Sequence, residues 1–419
     1  MNFEKMLKSF NCDCGKTHGC EIKHIVIEDG ALSRIGEFVS PYKNILLVAD
    51  QNTYKACGAE VRERLGERCA DALIFEREGY LVPDEKAVAA VENKLTPQTD
   101  LIMGVGSGVI QDLCKYTSFK AGLPYHIIAT APSMDGYASV GAAMIANNMK
   151  VTYNAHVPEV ILGDTEVLRN APMDMIKAGY GDILGKFSCL NDWKLSHIVN
   201  GEYLCDCVYG LTYDMLNKTK DLGERLLKRD ADAVKTLTEA LAGVGIAMAY
   251  VGNSRPASGS EHHMSHFFEV TGLAENKPYF LHGIDVVYSA VYTQKLREEL
   301  IRLEKPQVVR RIEKTEYEEK IRQIYSNAAE GVIELQTSLG TYDKDRLPIY
   351  SERWNEIKDV LKAAPSSTEL LGYLKSVDLD IAAFEKQYGD EKIQNAIRFA
   401  KDLKDRYTVL WLYFDLFYK

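Results

Sequence analysis

Between residues 24 and 130 the chain alternates short, continuously apolar runs with longer segments whose apolar residues recur at helical spacing. Residues 24–27, 44–50, 71–75, 100–105 and 124–130 are apolar runs of strand length, as expected of strands buried on both faces of a parallel sheet. Residues 31–39, 53–65, 84–95 and 109–120 carry helical periodicity, with Pro41 marking a stop and Pro83 a start. This βαβα order predicts a parallel sheet covered by helices. Residues 142–151 and 156–162 form a hairpin-like stretch turning at Asn147-Asn148. From about Thr165 the strand signals stop, and 174–199, 231–251, 283–303 and 314–336 predict helices. The expected organisation is an α/β domain over residues 1–164 and an all-α domain over 165–419.

Composition narrows the class. A length of 419 residues suits two domains, and 46% hydrophobic with 26% charged residues is ordinary for a globular protein. A formal charge of -10 argues against nucleic acid or a membrane surface as partner. No apolar run approaches the roughly 20 residues of a membrane span, and MNFEKMLKSF has no secretory pattern. Nine scattered cysteines suit a reduced compartment, so a cytoplasmic protein is expected. In Cys12-Asp-Cys14-Gly-Lys-Thr-His18-Gly-Cys20 one residue separates the first two thiols, where zinc sites leave two to four. That mismatch favours a plain turn.

Two stretches carry chemistry. Gly104-Val-Gly106-Ser107-Gly108-Val-Ile-Gln-Asp112 lies between a strand and a helix, where backbone N–H groups can meet a pyrophosphate. It is not the standard GxGxxG, and such turns are often purely structural. Asp50 ends a strand, where a carboxylate either accepts from a ribose or caps a helix. The polar loop 131–139, with Asp135 and Ser139, follows the last of these strands. In Ser258-Gly-Ser-Glu-His262-His-Met-Ser-His266, two histidines four apart share a helical face, and His282 follows in a Leu-His-Gly step. A single histidine reads as an ordinary core residue; the grouping favours a metal, with His263 turned about 100° away. Asp182 and Lys186, four apart, are either a surface ion pair or a carboxylate and a cation for that site. Carboxylate and imidazole together suit Zn²⁺, Ni²⁺ or Fe²⁺.

In their order these stretches, with the 12–18 cysteine segment and Asp405-Arg-Tyr-Thr-Val-Leu410, resemble the metal-dependent dehydrogenases of the dehydroquinate synthase-like superfamily. Iron-type alcohol, glycerol and glycerol-1-phosphate dehydrogenases belong to it, and the likeness is nearest to the bacterial glycerol-1-phosphate group. The resemblance implies a Rossmann-like domain followed by a helical one. It implies one divalent metal ion on Asp182, His262 and His282. NAD(H) or NADP(H) would lie against Asp50, Gly106, Ser107, Gly108, Val109, Ile110, Thr130, Ala131, Pro132, Ser133 and Ser139. Substrate would meet Asp135, Asp182 and His266, with Lys186 near its phosphate by sequence proximity. The implied reaction interconverts dihydroxyacetone phosphate and sn-glycerol 1-phosphate. A polyol dehydrogenase without a phosphate site and a dehydroquinate synthase-like lyase are the alternatives. The expected partner is a small phosphorylated molecule, with room for a homodimer or larger homo-oligomer.

Overall fold

The computed structural model describes residues 1–76, 79, 81–146, 149–307 and 312–418. Its ten described strands are β1 (Phe10–Asn11), β2 (Thr17–His18), β3 (His24–Glu28), β4 (Ile45–Asp50), β5 (Cys69–Phe75), β6 (Leu101–Gly106), β7 (Tyr125–Ala129), β8 (Gly141–Ala146), β9 (Met149–Asn154) and β10 (Val160–Asp164). Six of them form one parallel sheet in the order β3-β10-β7-β6-β4-β5. Alternate residues of β4 and β6 feed different cores. Leu47, Ala49, Met103 and Val105 pack on one face, Leu46, Val48 and Ile102 on the other. The near-continuous apolar runs follow from that double burial.

The chain leaves β4 towards β5 on one side and returns to β6 on the other, so the strand order reverses between β4 and β6. Ala49 lies opposite Val105, which brings the ends of the two strands, Asp50 and Gly106, to the same rim. In open α/β sheets that crevice is where ligands bind.

Two compact units divide the chain: Met1–Ile183 with Asn217–Ser254, and Leu184–Leu216 with Arg255–Lys419. The described strands end at Asp164, whose carboxylate accepts from Glu166 N and Leu32 N. The first unit nevertheless continues past it. The helices used below are α1 (Gly108–Ala121), α2 (Met173–Leu184), α3 (Lys186–Asn200), α4 (Ala231–Val251), α5 (Ser260–Glu275) and α6 (His282–Ile301).

Three details differ from the expectation. The hairpin pairs β8 with β9 only, and β10 instead enters the sheet between β3 and β7 because all five of its residues are buried. Its expected turn, Asn147-Asn148, lies outside the described residues. The 174–199 segment is two helices that break at Gly185, so Asp182 and Lys186 belong to different helices. Finally, α4 has the length and apolarity of a membrane-crossing helix, at mean hydropathy 1.3, yet 72% of that window is buried inside the protein. It is a core helix of the first unit, packed on the 136–138 turn.

Candidate metal centre and nucleotide-binding turn

In the first unit, β6 runs into α1 through Ser107, and no side chain caps that helix start. A Cβ on Gly106 would stand 2.5 Å from Ile110 Cβ, so the glycine lets α1 fold tightly back on its strand. At Gly108 the nearest atoms to such a Cβ are 3.8 Å away, which leaves the backbone approachable. Ile110 is buried in the core and offers a ligand only its backbone. Asp50 caps the turn Gln51–Thr53, accepting from Asn52 N at 2.8 Å and Thr53 N at 2.9 Å.

The loop after β7 is fixed from three sides. Thr130 N donates to Gly106 O at 3.1 Å, and Tyr137 Oη donates to Ala131 O at 2.9 Å. Beneath it lies Lys115, which the sequence did not single out. Its buried ammonium donates to Gly136 O, Ser139 Oγ and Gly141 O at 3.1, 3.3 and 2.8 Å. Burial lowers its pKa, and nearby Asp112 opposes that shift. Ser139 is thus engaged by Lys115 and by Gly136 O.

The carboxylate of Asp182, fully buried near the end of α2, accepts from Asp135 N at 3.0 Å. Close packing sets this distance. A Cβ on Gly179, one turn earlier, would lie 1.7 Å from Pro132 O. Gly179→Ala is therefore expected to push α2 off the loop at a cost of about 1–3 kcal/mol. Gly210→Ala, on a helix where nothing lies within 4 Å, is the control. It should be neutral or slightly stabilising in the same thermal melt. Equal melting of the two variants would refute the argument.

The second unit brings the three histidines together. The rings of His262 and His282 are 5.0 Å apart, His266 and His282 5.5 Å, and His262 and His266 6.1 Å. His262 Nδ1 lies 2.7 Å from Glu261 Oε1. Burial pushes the Glu261 carboxyl up, against the pull of the Gly259 N–H. When Glu261 is ionised it can only accept, and Nδ1 then carries the proton while Nε2 presents a lone pair. A carboxylate behind a ligating imidazole is the usual way its tautomer is fixed. His263 is fully buried, and desolvation holds it well below the usual histidine range, as its turned-away position implies.

Glu261 and Glu269 were not among the sequence candidates. His266, Glu269 and His282 offer ligand atoms within 4.8 Å of one another. The His-x-x-Glu step on one helical face was the available signal. Lys186 is fully buried and donates to Ala257 O at 3.1 Å, so it is not an exposed ion-pair partner.

The start of α5 is built with equal care. Asp192 Oδ2 accepts from Ser260 N at 2.7 Å, while Oδ1 accepts from Val409 N at 2.9 Å and from Arg297 Nη2 at 2.8 Å. Neither Asp192 nor Arg297 has any exposed side chain. A Cβ on Gly259 would meet Cys189 Cα at 2.6 Å and Asp192 Oδ2 at 2.7 Å.

Comparison with known proteins places the chain. It is 30% identical over 407 residues to a glycerol-1-phosphate dehydrogenase [NAD(P)+] of Halalkalibacterium halodurans, covering 96% of this chain and 94% of that one. The chain belongs to the glycerol-1-phosphate dehydrogenase family. An archaeal member from Pyrococcus furiosus is 28% identical over 274 residues, covering 63% of this chain and 78% of its own. The broader family of iron-containing alcohol dehydrogenases matches residues 26–172. Among solved structures, sulfoacetaldehyde reductase from Bifidobacterium kashiwanohense in complex with NAD+ aligns at a TM-score of 0.60 and 14% identity, covering 95% of this chain and 98% of that one. Glycerol dehydrogenase from Schizosaccharomyces pombe aligns at 0.53 and 16% identity, covering 84% and 91%. These likenesses show the dehydroquinate synthase-like fold, and membership of the glycerol-1-phosphate dehydrogenase family makes the protein an oxidoreductase of the NAD(P)-linked type.

Proposed function

We propose that this protein interconverts dihydroxyacetone phosphate and sn-glycerol 1-phosphate with NADH or NADPH, using one divalent ion held by Asp182, His262 and His282. The observation that carries the metal half is the 2.7 Å contact of His262 Nδ1 with buried Glu261, which leaves Nε2 for an ion, together with the His282 ring 5.0 Å away. Two neutral imidazoles and a carboxylate fit Zn²⁺, Ni²⁺ or Fe²⁺. The substrate half rests on relatives from bacteria and archaea that share the glycerol-1-phosphate dehydrogenase name.

When bound, the ion supplies positive charge for a developing alkoxide and the nicotinamide supplies hydride. The chain's own residues do the rest. Glu261 holds the His262 ring, and the Asp135 N–H holds the Asp182 carboxylate. His266 positions a substrate hydroxyl or relays a proton, with Asp135 as a further substrate contact. Backbone N–H groups of Gly106, Ser107, Gly108, Val109 and Ile110 receive the pyrophosphate, and Thr130, Ala131, Pro132, Ser133 and Ser139 line the remaining cofactor path. Asp50 keeps its cap while offering its free oxygen to a ribose. Lys186, being fully buried, is assigned a positioning role behind the substrate.

The test is NADH and NADPH oxidation by metal-replete enzyme, with dihydroxyacetone phosphate beside dihydroxyacetone. The phosphorylated ketone should lead in kcat/KM by at least about 100-fold, roughly 2.7 kcal/mol of transition-state binding. Equal rates, or none with the phosphate ester, would overturn the reading.

A further inference from the structure

The cysteine segment near the start of the chain, expected to be a plain turn, is a hairpin whose turn gathers two thiols and an imidazole. Strands β1 and β2 pair antiparallel, with Phe10 opposite His18 and Asn11 opposite Thr17. The loop between them closes through Cys12 N to Lys16 O at 3.0 Å and Gly15 N to Cys12 O at 2.9 Å, with Gly15 at φ 83°. Cys12, Cys14 and His18 thereby offer ligand atoms within 4.8 Å of one another.

His18 is the deciding residue. It has no exposed surface, and its Nδ1 lies 2.8 Å from the backbone carbonyl of Tyr250 on α4. A carbonyl only accepts, so Nδ1 bears the proton and Nε2 bears the lone pair. That nitrogen stands 3.4 Å from Cys14 Sγ. Thiolate and imidazole ligands at about 2.3 and 2.05 Å from a tetrahedral ion stand roughly 3.6 Å apart, so the pair already has the edge of such a site. The His18 ring also stacks on Tyr250 at 5.5 Å, with Phe10 against both rings at the same separation. The ligand is therefore locked in tautomer and in orientation, as metal-binding histidines are.

We propose that Cys12, Cys14 and His18 bind a thiophilic divalent cation of the Zn²⁺ type, distinct from the ion of the histidine centre. Two thiolates and an imidazole are a zinc-selective set, and the single-residue spacing is made workable by the Gly15 turn. The bond stoichiometry is simple: each thiol releases its proton on ligation, and no redox partner is needed. The ion would lock the β1–β2 hairpin, whose His18 is tied to α4 through the Tyr250 carbonyl. The same helix carries Gly245, where a Cβ would come within 2.9 Å of Asp135 O, so α4 also supports the nucleotide-side loop of the first unit.

The experiment uses the full-length protein purified under reducing conditions and loaded first with Zn²⁺, then with Co²⁺. Elemental analysis should find two equivalents of zinc per chain, one in His262→Ala and one in a Cys12→Ser/Cys14→Ser double variant. Cobalt bound to wild type should give thiolate-to-metal charge transfer in the near ultraviolet, because the histidine centre contains no thiolate. The band should persist in His262→Ala, so it does not depend on a cysteine variant folding. If the histidine centre holds no metal, His262→Ala matches wild type in zinc while the band remains. Absence of the thiolate band from cobalt-loaded wild type would overturn the proposal, as would unchanged zinc content in the double cysteine variant.

Discussion

His262→Ala is expected to lower kcat/KM for dihydroxyacetone phosphate by about three orders of magnitude, the rate equivalent of the roughly 4 kcal/mol that charge at a developing alkoxide supplies. The variant removes one nitrogen of the ion's set and leaves the α5 backbone in place, since Ser260 and Glu261 still anchor its first turn. A graded companion isolates the supporting carboxylate. Glu261→Gln keeps the volume but weakens the acceptor for His262 Nδ1, and metal affinity should fall about 10–100-fold. Raising the ion concentration should restore that variant and not His262→Ala. Activity in His262→Ala equal to the parent's would remove this histidine from the site.

Asp192→Ala should be the most destabilising polar substitution in the second unit. It removes the acceptor of three donors and leaves the Arg297 guanidinium buried beside neutral partners only, Asn191, Ser188, Thr293 and Ser260. Breaking a fully buried pair from one side costs about 3–5 kcal/mol. The loss should appear as a lower urea midpoint at unchanged slope. Because Asp192 also caps α5 at Ser260, kcat should fall with stability. Removing both charges in Asp192→Ala/Arg297→Met should recover part of the loss, since the uncompensated charge goes with it. A double variant less stable than Asp192→Ala would mean that hydrogen bonds of Arg297, and not the ion pair, hold this core.

The sheet was legible because strands buried on both faces write themselves as unbroken apolar runs, as at Ile45–Asp50 and Leu101–Gly106. Residues 156–162 read equally well as half of a hairpin because an apolar run does not say which strand it pairs with; burial on both faces puts β10 in the sheet. The histidine grouping was visible because its members lie within 21 residues of sequence. Its supports were not. Asp192 and Arg297 are 105 positions apart, and Lys115 looks like any helix-surface lysine until the loop is folded over it. Likewise α4 announced itself as a helix, but pattern alone could not assign it to the first unit. The turn in the cysteine segment is present, but its packing was not legible in the spacing, since the contact that fixes His18 comes from Tyr250, 232 residues on.

The interleaving of the two units has a consequence for synthesis of the chain. All six strands of the parallel sheet have left the ribosome once Asp164 has emerged, yet the helix that covers its 136–138 turn and holds His18 is finished only at Val251. The intervening 184–216 belongs to the other unit. At ordinary translation speed the wait is roughly 5–20 s, long compared with collapse of a nascent chain. During that interval the loop after β7 has no Gly245 surface to rest on, and His18 has no Tyr250 carbonyl to meet. The loop after β7 and the β1–β2 hairpin should therefore reach their final packing only after Val251 has emerged.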